Sequence, residues 1–181
     1  MRIISGSLKG RKINPPANSK ARPTTDFAKE GLFSALEARM DFHQAVVFDL
    51  FCGTGNIGLE CLSRGAEHVY GIDISTVSQH FLNGIIRDWQ LTERYTFIRA
   101  DVWRILKNLT VKADLIFADP PFTLKDYTAI PLAVQEHALL NPGGLLIVEH
   151  PKTVDLSHLP NFDHEKTYGS IHFSFFQQAS L

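Results

Sequence analysis

Val46-Val47-Phe48-Asp49-Leu50-Phe51-Cys52-Gly53-Thr54-Gly55-Asn56-Ile57-Gly58 decides the fold of this chain. Residues 46–51 read as a buried β-strand, near-continuously apolar as strands of parallel sheets are. The glycines after it permit a tight turn and close approach of a ligand to the backbone. A helical pattern begins there and runs over 56–64. Taken literally, Gly53, Gly55 and Gly58 match the dinucleotide fingerprint G-x-G-x-x-G, a weak signal alone. Asp49 redirects it. A carboxylate four residues before the first glycine would lie close to where dinucleotide enzymes hold a pyrophosphate, and would repel that anion. It suits a cationic ligand instead, such as the ammonium of a methionine moiety.

Outward from this unit, strands and helices alternate. Strand 68–72 precedes helix 75–88, strand 95–100 precedes helix 102–109, and strand 114–118 precedes helix 126–140. Asn141-Pro142-Gly143-Gly144 marks a break before strand 145–149. Such alternation implies a parallel sheet with helices on both faces. The ending differs: 167–171 and 172–176 read as two strands closing on each other with no helix between. The expected fold is therefore α/β, mostly parallel with an antiparallel last strand. At the start, residues 1–13 read as a hairpin turning near Ser7-Leu8, and 14–24 as a Pro-rich loop. Thr25 or Asp26 then caps a helix to about Ala38.

Several strands end in an acid at one edge of the sheet. Asp73 follows Val69-Tyr70-Gly71-Ile72 and is placed to accept hydrogen bonds from both hydroxyls of a ribose. Asp101 follows 95–100 and is a candidate partner for an adenine amino group. Asp119-Pro120-Pro121-Phe122 follows Leu115-Ile116-Phe117-Ala118. Two prolines with fixed φ and no N–H hold that corner stiff, with their carbonyls expected to be available as acceptors. Asp119 adds a carboxylate and Phe122 an aromatic face, so the corner suits a planar base held by its amino group. One acid at a strand end is commonly only a helix cap. Strand ends in open α/β sheets are also where ligands bind, near the point where strand order reverses.

The 181 residues fit one domain, and 44% hydrophobic content suffices for its core. The net charge of −1 does not mark a nucleic-acid binder, but its distribution does. Residues 1–22 carry Arg2, Lys9, Arg11, Lys12, Lys20 and Arg22 and no acid. Residues 1–39 stand at +5 and the remainder at −6. A basic arm on an acidic body is the footprint of a polyanion contact at one end. Cys52 and Cys61 lack the spacing of a disulfide framework or a zinc site, so reduced thiols, a cytoplasmic setting and no metal are expected. The sequence turns polar after Ile4, so no signal-peptide core is expected, and no apolar run approaches a membrane span.

Together these motifs resemble the S-adenosylmethionine-dependent methyltransferases of the Rossmann-like class I type, among those with a D-P-P-[YF] corner. The opening Met1-Arg2-Ile3-Ile4-Ser5-Gly6-Ser7-Leu8-Lys9-Gly10-Arg11-Lys12-Ile13 is similar to the bacterial RsmD family. So are Arg22-Pro23-Thr24-Thr25-Asp26 with Gly31-Leu32-Phe33, Ser63-Arg64-Gly65-Ala66 and Val148-Glu149-His150. That family methylates the exocyclic N2 amine of a guanine in 16S, small-subunit, ribosomal RNA. Many members carry Tyr where this chain has Phe122. The resemblance implies S-adenosyl-L-methionine as cofactor, contacted by Thr25, Asp49, Phe51, Gly53, Thr54, Gly55, Asp73, Ile74, Asp101, Val102 and Asp119. It implies catalysis by Asp119, Pro120, Pro121 and Phe122. RNA contact falls to Arg2, Lys9, Arg11, Lys12 and Arg22, on an arm of residues 1–24 attached to a methyltransferase domain of 25–181. The implied partner is 16S ribosomal RNA or the small subunit, met by a monomer. The corner alone would equally serve an adenine N6 amine or a glutamine side chain. An NAD-dependent oxidoreductase is disfavoured by Asp49 and the corner, and a non-catalytic RNA-binding module by the intact acids.

Overall fold

The computed structural model describes residues 1–16 and 26–180. One seven-stranded sheet carries the chain: β1 Val46–Leu50, β2 His68–Asp73, β3 Tyr95–Arg99, β4 Ala113–Ala118, β5 Leu140–His150, β6 Phe162–Tyr168 and β7 Ile171–Gln177. Their spatial order is β3-β2-β1-β4-β5-β7-β6. The first five strands pair in parallel, and β7 runs antiparallel to both β5 and β6. Helices α1 Asp26–Glu37, α2 Asn56–Ser63 and α3 Thr76–Asp88 share a core with one face of the sheet, including Val47, Leu115, Phe117, Leu145 and Ile147. Helices α4 Val102–Leu106 and α5 Ala129–Glu136 share the core of the other, with Phe48, Leu50, Ile116, Ala118, Leu146 and Val148. Strand alternation thus sends successive side chains into two layers.

The expected alternation of strands and helices is borne out, with shifted boundaries. Helix 126–140 shrinks to α5 because Asp126 accepts the Thr128 N–H (2.9 Å) in a local turn. At its far end Ala138, at φ 48°, turns the chain. Asn141-Pro142-Gly143-Gly144 is no strand boundary. It lies inside β5, where the register slips between Ala113 and Leu115 and Gly143 adopts φ 76°. The last two strands join at Gly169-Ser170, not between 171 and 172, with Gly169 at φ 65°. Charged residues hid the first half of β6; they suit an edge strand with one solvated side.

The N-terminal hairpin forms around the Arg2–Lys12 bridge, with Ile3 N–H bonded to Arg11 O (2.9 Å) and Gly10 N–H to Ile3 O (2.9 Å). Ile3 and Ile13 are buried in the α1–α2 core. The hairpin lies along α2: Ile4 and Ser5 N–H groups bond Glu60 (2.8 and 3.0 Å), and Leu8 N–H bonds Ser63 Oγ (2.9 Å).

Candidate active site

Strand order reverses between β1 and β4, so their C-terminal ends open a crevice. At the end of β1 the backbone turns sharply. Phe51 takes a left-handed φ of 59°, a strained setting for a side chain with a Cβ, and Gly53 (52°) and Gly55 (71°) follow. Gly55 is the residue before α2 and caps it with backbone alone. Helix α2 therefore presents its N-terminal amides at the crevice.

Two acids fix this loop. Asp73 Oδ2 accepts the Gly53 N–H (2.9 Å) and Oδ1 accepts the Ser75 N–H (2.8 Å). Each oxygen keeps a second lone pair for a ligand hydroxyl. Asp49 is 2% exposed, and its Oδ2 accepts the Gly58 N–H at 2.9 Å. Burial pushes the Asp49 carboxyl up to about 8 and outweighs the Gly58 bond; the charges of Asp119 and Asp73 push the same way. Gly58 serves this packing rather than ligand approach. A Cβ there would meet Val69 at 2.8 Å and Asp49 Oδ2 at 3.0 Å. Gly71 likewise makes room for Tyr95, whose hydroxyl would lie 2.3 Å from a Cβ.

The other expected cofactor residues divide. Ile74 is 67% exposed beside Asp73, an open apolar surface at the rim. Phe51 is half-buried, edge-on to Trp103 with centroids 6.4 Å apart. The Thr54 side chain is buried against the Met1 sulfur, 3.9 Å away. Asp101 is exposed and caps α4 by accepting the Arg104 N–H at 3.2 Å, so the ordinary helix-cap role holds for this acid. The Val102 side chain is buried in the α4–α5 core. Thr25 and Arg22 lie outside the described residues.

Across the crevice, the Asp119 N–H reaches Leu50 O (3.4 Å) and so ties the corner to β1. Burial pushes the Asp119 carboxyl up to about 7. Pro120 is buried, whereas Phe122 turns outward at 61% exposure. One expectation fails here: the Pro121 carbonyl accepts the Leu124 N–H at 2.8 Å, closing the turn. Pro120 is left as the main-chain acceptor of the corner.

Sequence reasoning passed over Glu149. The Ala118–Val148 register places it beside Asp119, and it is buried. Both acids raise the Tyr127 hydroxyl, though less than burial does. The signal was available, an acid at the end of a fifth strand. His150 has a structural setting: Nε2 meets Ser174 Oγ at 2.7 Å and Nδ1 meets Pro151 O at 3.0 Å.

The basic arm does not ring the crevice. Because it lies along α2, Arg2 and Lys12 stand near the rim. Lys9 sits toward the opposite end, and Arg11 reaches back over the Trp89 ring at 5.1 Å. Lys9, Arg11 and Lys12 are exposed, and Arg2 pairs loosely with Asp26 at 3.4 Å. Among the described residues there is no metal-binding cluster and no helix long and apolar enough to cross a membrane.

Comparison with known proteins gives this arrangement its context. A family model described as "Conserved hypothetical protein 95" matches residues 1–177. Ribosomal RNA small subunit methyltransferase D of Buchnera aphidicola is 33% identical over 187 residues, covering 99% of this chain and 93% of its own. A solved, provisionally named methylase from Haemophilus influenzae superposes with TM-score 0.80 at 28% identity, over 99% of this chain and 98% of its own. The same fold occurs in a provisionally named methyltransferase complexed with S-adenosylhomocysteine, at TM-score 0.64 and 14% identity, over 78% of this chain and 48% of that one.

Proposed function

Because this chain belongs to the conserved hypothetical protein 95 family, the RsmD family of ribosomal RNA methyltransferases, we propose that it methylates the exocyclic N2 amine of a guanine in small-subunit ribosomal RNA. The proposed methyl donor is S-adenosylmethionine. The observation that carries this reading is the Asp119–Phe122 corner, tied to β1 across the crevice from a glycine loop clamped by Asp73. Cofactor and amine motifs thereby share one opening, as transfer between them requires.

The residues present fit the cofactor. Asp73 offers two carboxylate oxygens with spare lone pairs, and Ile74 gives an exposed apolar surface beside it for an adenine ring. The α2 amides stand at the crevice beside buried Asp49. When bound, the sulfonium supplies a methyl already activated for displacement. The protein's task is alignment. An aromatic amine is a poor nucleophile because its lone pair is delocalised into the ring. The Asp119 carboxylate and the Pro120 carbonyl accept its two N–H groups, turn the lone pair toward the crevice, and stabilise positive charge growing on nitrogen. Phe122 stacks on the base, which must leave its surroundings to reach the corner. Adenine N6 or a glutamine amide would fit the same acceptors; membership of a ribosomal RNA methyltransferase family favours a base in RNA.

Asp119→Ala tests the assignment. It retains binding of S-adenosylhomocysteine by calorimetry and loses turnover by about 100- to 1000-fold, the usual effect of removing one preorganised polar group. Near-normal turnover would remove Asp119 from the chemistry.

A further inference from the structure

Phe27 stands in the first turn of α1 and is 70% exposed. The helix does not need it for packing, since Ala28, Leu32, Phe33, Ala35 and Leu36 bury its apolar face. Its ring meets Tyr168 edge-on, with centroids 6.0 Å apart and planes at 80°. Tyr168 is held firmly from behind. It lies against the α1 backbone at Gly31, where a Cβ would come 2.1 Å from the Tyr168 ring, and it packs on Phe173 at 6.0 Å. An exposed aromatic ring is thus propped on a fixed one. Arg2 adjoins it through its contact with Asp26, and Lys12 bridges Arg2 across the hairpin.

The pair shares a rim with the candidate active site. Strand β6 runs parallel to β1–β5, so Tyr168 at its C-terminal end lies on the same edge as Asp119. From β4 to β6 is three strand spacings, about 14 Å. A few nucleotides of an unpaired strand cover that distance.

We propose that Phe27, propped by Tyr168, is a second base-stacking platform, which takes an unpaired nucleotide of the RNA a few residues from the one presented to Asp119 and Phe122. This rests on the RNA-methyltransferase reading above. A base of any identity has a π-face, so the platform adds affinity and fixes the strand's path without reading sequence. Arg2 and its bridge partner Lys12, near the same rim, suit a polyanion, and the exposed ring suits a base.

The test compares Phe27→Ala, Phe27→Leu and Phe27→Trp on unmethylated small-subunit rRNA transcribed in vitro. Loss of one stacked base typically weakens binding by about 5- to 150-fold. The proposal expects KM for RNA to rise within that range in the Ala and Leu variants and to recover in the Trp variant. It expects kcat at saturating RNA, S-adenosylhomocysteine affinity and the melting temperature to stay at wild-type values. If Phe27 only shields Tyr168, Leu restores KM as well as Trp does, which overturns the platform. An unchanged KM in Phe27→Ala overturns it too. Failure of the wild-type protein itself to bind or methylate rRNA would bring down the functional reading, and the platform with it.

Discussion

Lys29 Nζ lies 2.8 Å from Glu60 Oε2, with both side chains wholly buried. The pair joins three parts of the molecule. Lys29 also bonds Arg2 O (2.8 Å) in the hairpin and Asn56 Oδ1 (2.8 Å) in the first turn of α2. Glu60 accepts the Ile4 and Ser5 N–H groups and the Arg64 guanidinium. Burial pulls the Lys29 ammonium down from its usual range, and the Glu60 carboxylate offsets part of that. The basic hairpin and the glycine loop are thus fastened to one ion pair.

Lys29→Met should remove that fastening. Breaking one side of a buried pair costs about 3–5 kcal/mol where the other charge is left unpaired; Glu60 keeps Arg64 and two backbone N–H groups, so the loss falls toward the low end of that range. The expected outcome is a clearly lower melting temperature and faster tryptic cleavage at Arg2, Lys9 and Arg11. Wild-type melting and cleavage would show that the hairpin is held by Ile3 and Ile13 alone.

Asp49 should make stability fall as pH rises. Its carboxyl sits at about 8 in the native protein against 3.8 in an unconstrained chain. Between about pH 4 and pH 8 the native state therefore holds a proton that the unfolded state has released, and each step upward disfavours folding. Below that window both states are protonated; above it the full cost is present. Asp49→Asn keeps an oxygen for the Gly58 N–H and does not titrate. Melting curves should show the variant gaining on wild type as pH rises from 5 to 8. A constant difference would mean that Asp49 is ionised in the native state throughout.

Asp119 should set the pH dependence of turnover. With its carboxyl at about 7, the charged acceptor form grows as pH passes through neutrality. For wild type, kcat/KM should climb through about pH 7 and then level. Asp119→Asn, an acceptor that does not titrate, should be slower and flat across that range. An equal slope in both proteins would assign the titration to another group.

The fold was legible because its signals are local. Alternating apolar runs and glycine-bearing turns mark β1 to β4 and their helices, and both rim motifs fall at strand ends, the edge where open α/β sheets bind ligands. What escaped depends on pairing across the sheet. The start of β6, Phe162-Asp163-His164-Glu165-Lys166, carries no strand pattern of its own because its partner β7 supplies the reason for an extended edge. The break at Asn141–Gly144 reads as a boundary because only the register with β4 shows one bulged strand. In the site, acids at strand ends look alike in sequence. The structure gives Asp49 to Gly58, Asp73 to the loop amides and Asp101 to a helix cap. Glu149 shows in sequence as one more acid ending a strand; its place beside Asp119 is a fact of register. The basic residues were visible, but their course along α2 was not, since it depends on the Glu60 and Ser63 contacts.

The most direct test is methyl incorporation from labelled S-adenosylmethionine into small ribosomal subunits from cells lacking this enzyme, followed by nucleoside analysis. Label is expected in N2-methylguanosine of the small-subunit rRNA and is absent with Asp119→Ala. Label in another nucleoside or in protein, or no label while the cofactor still binds, would contradict the proposed function.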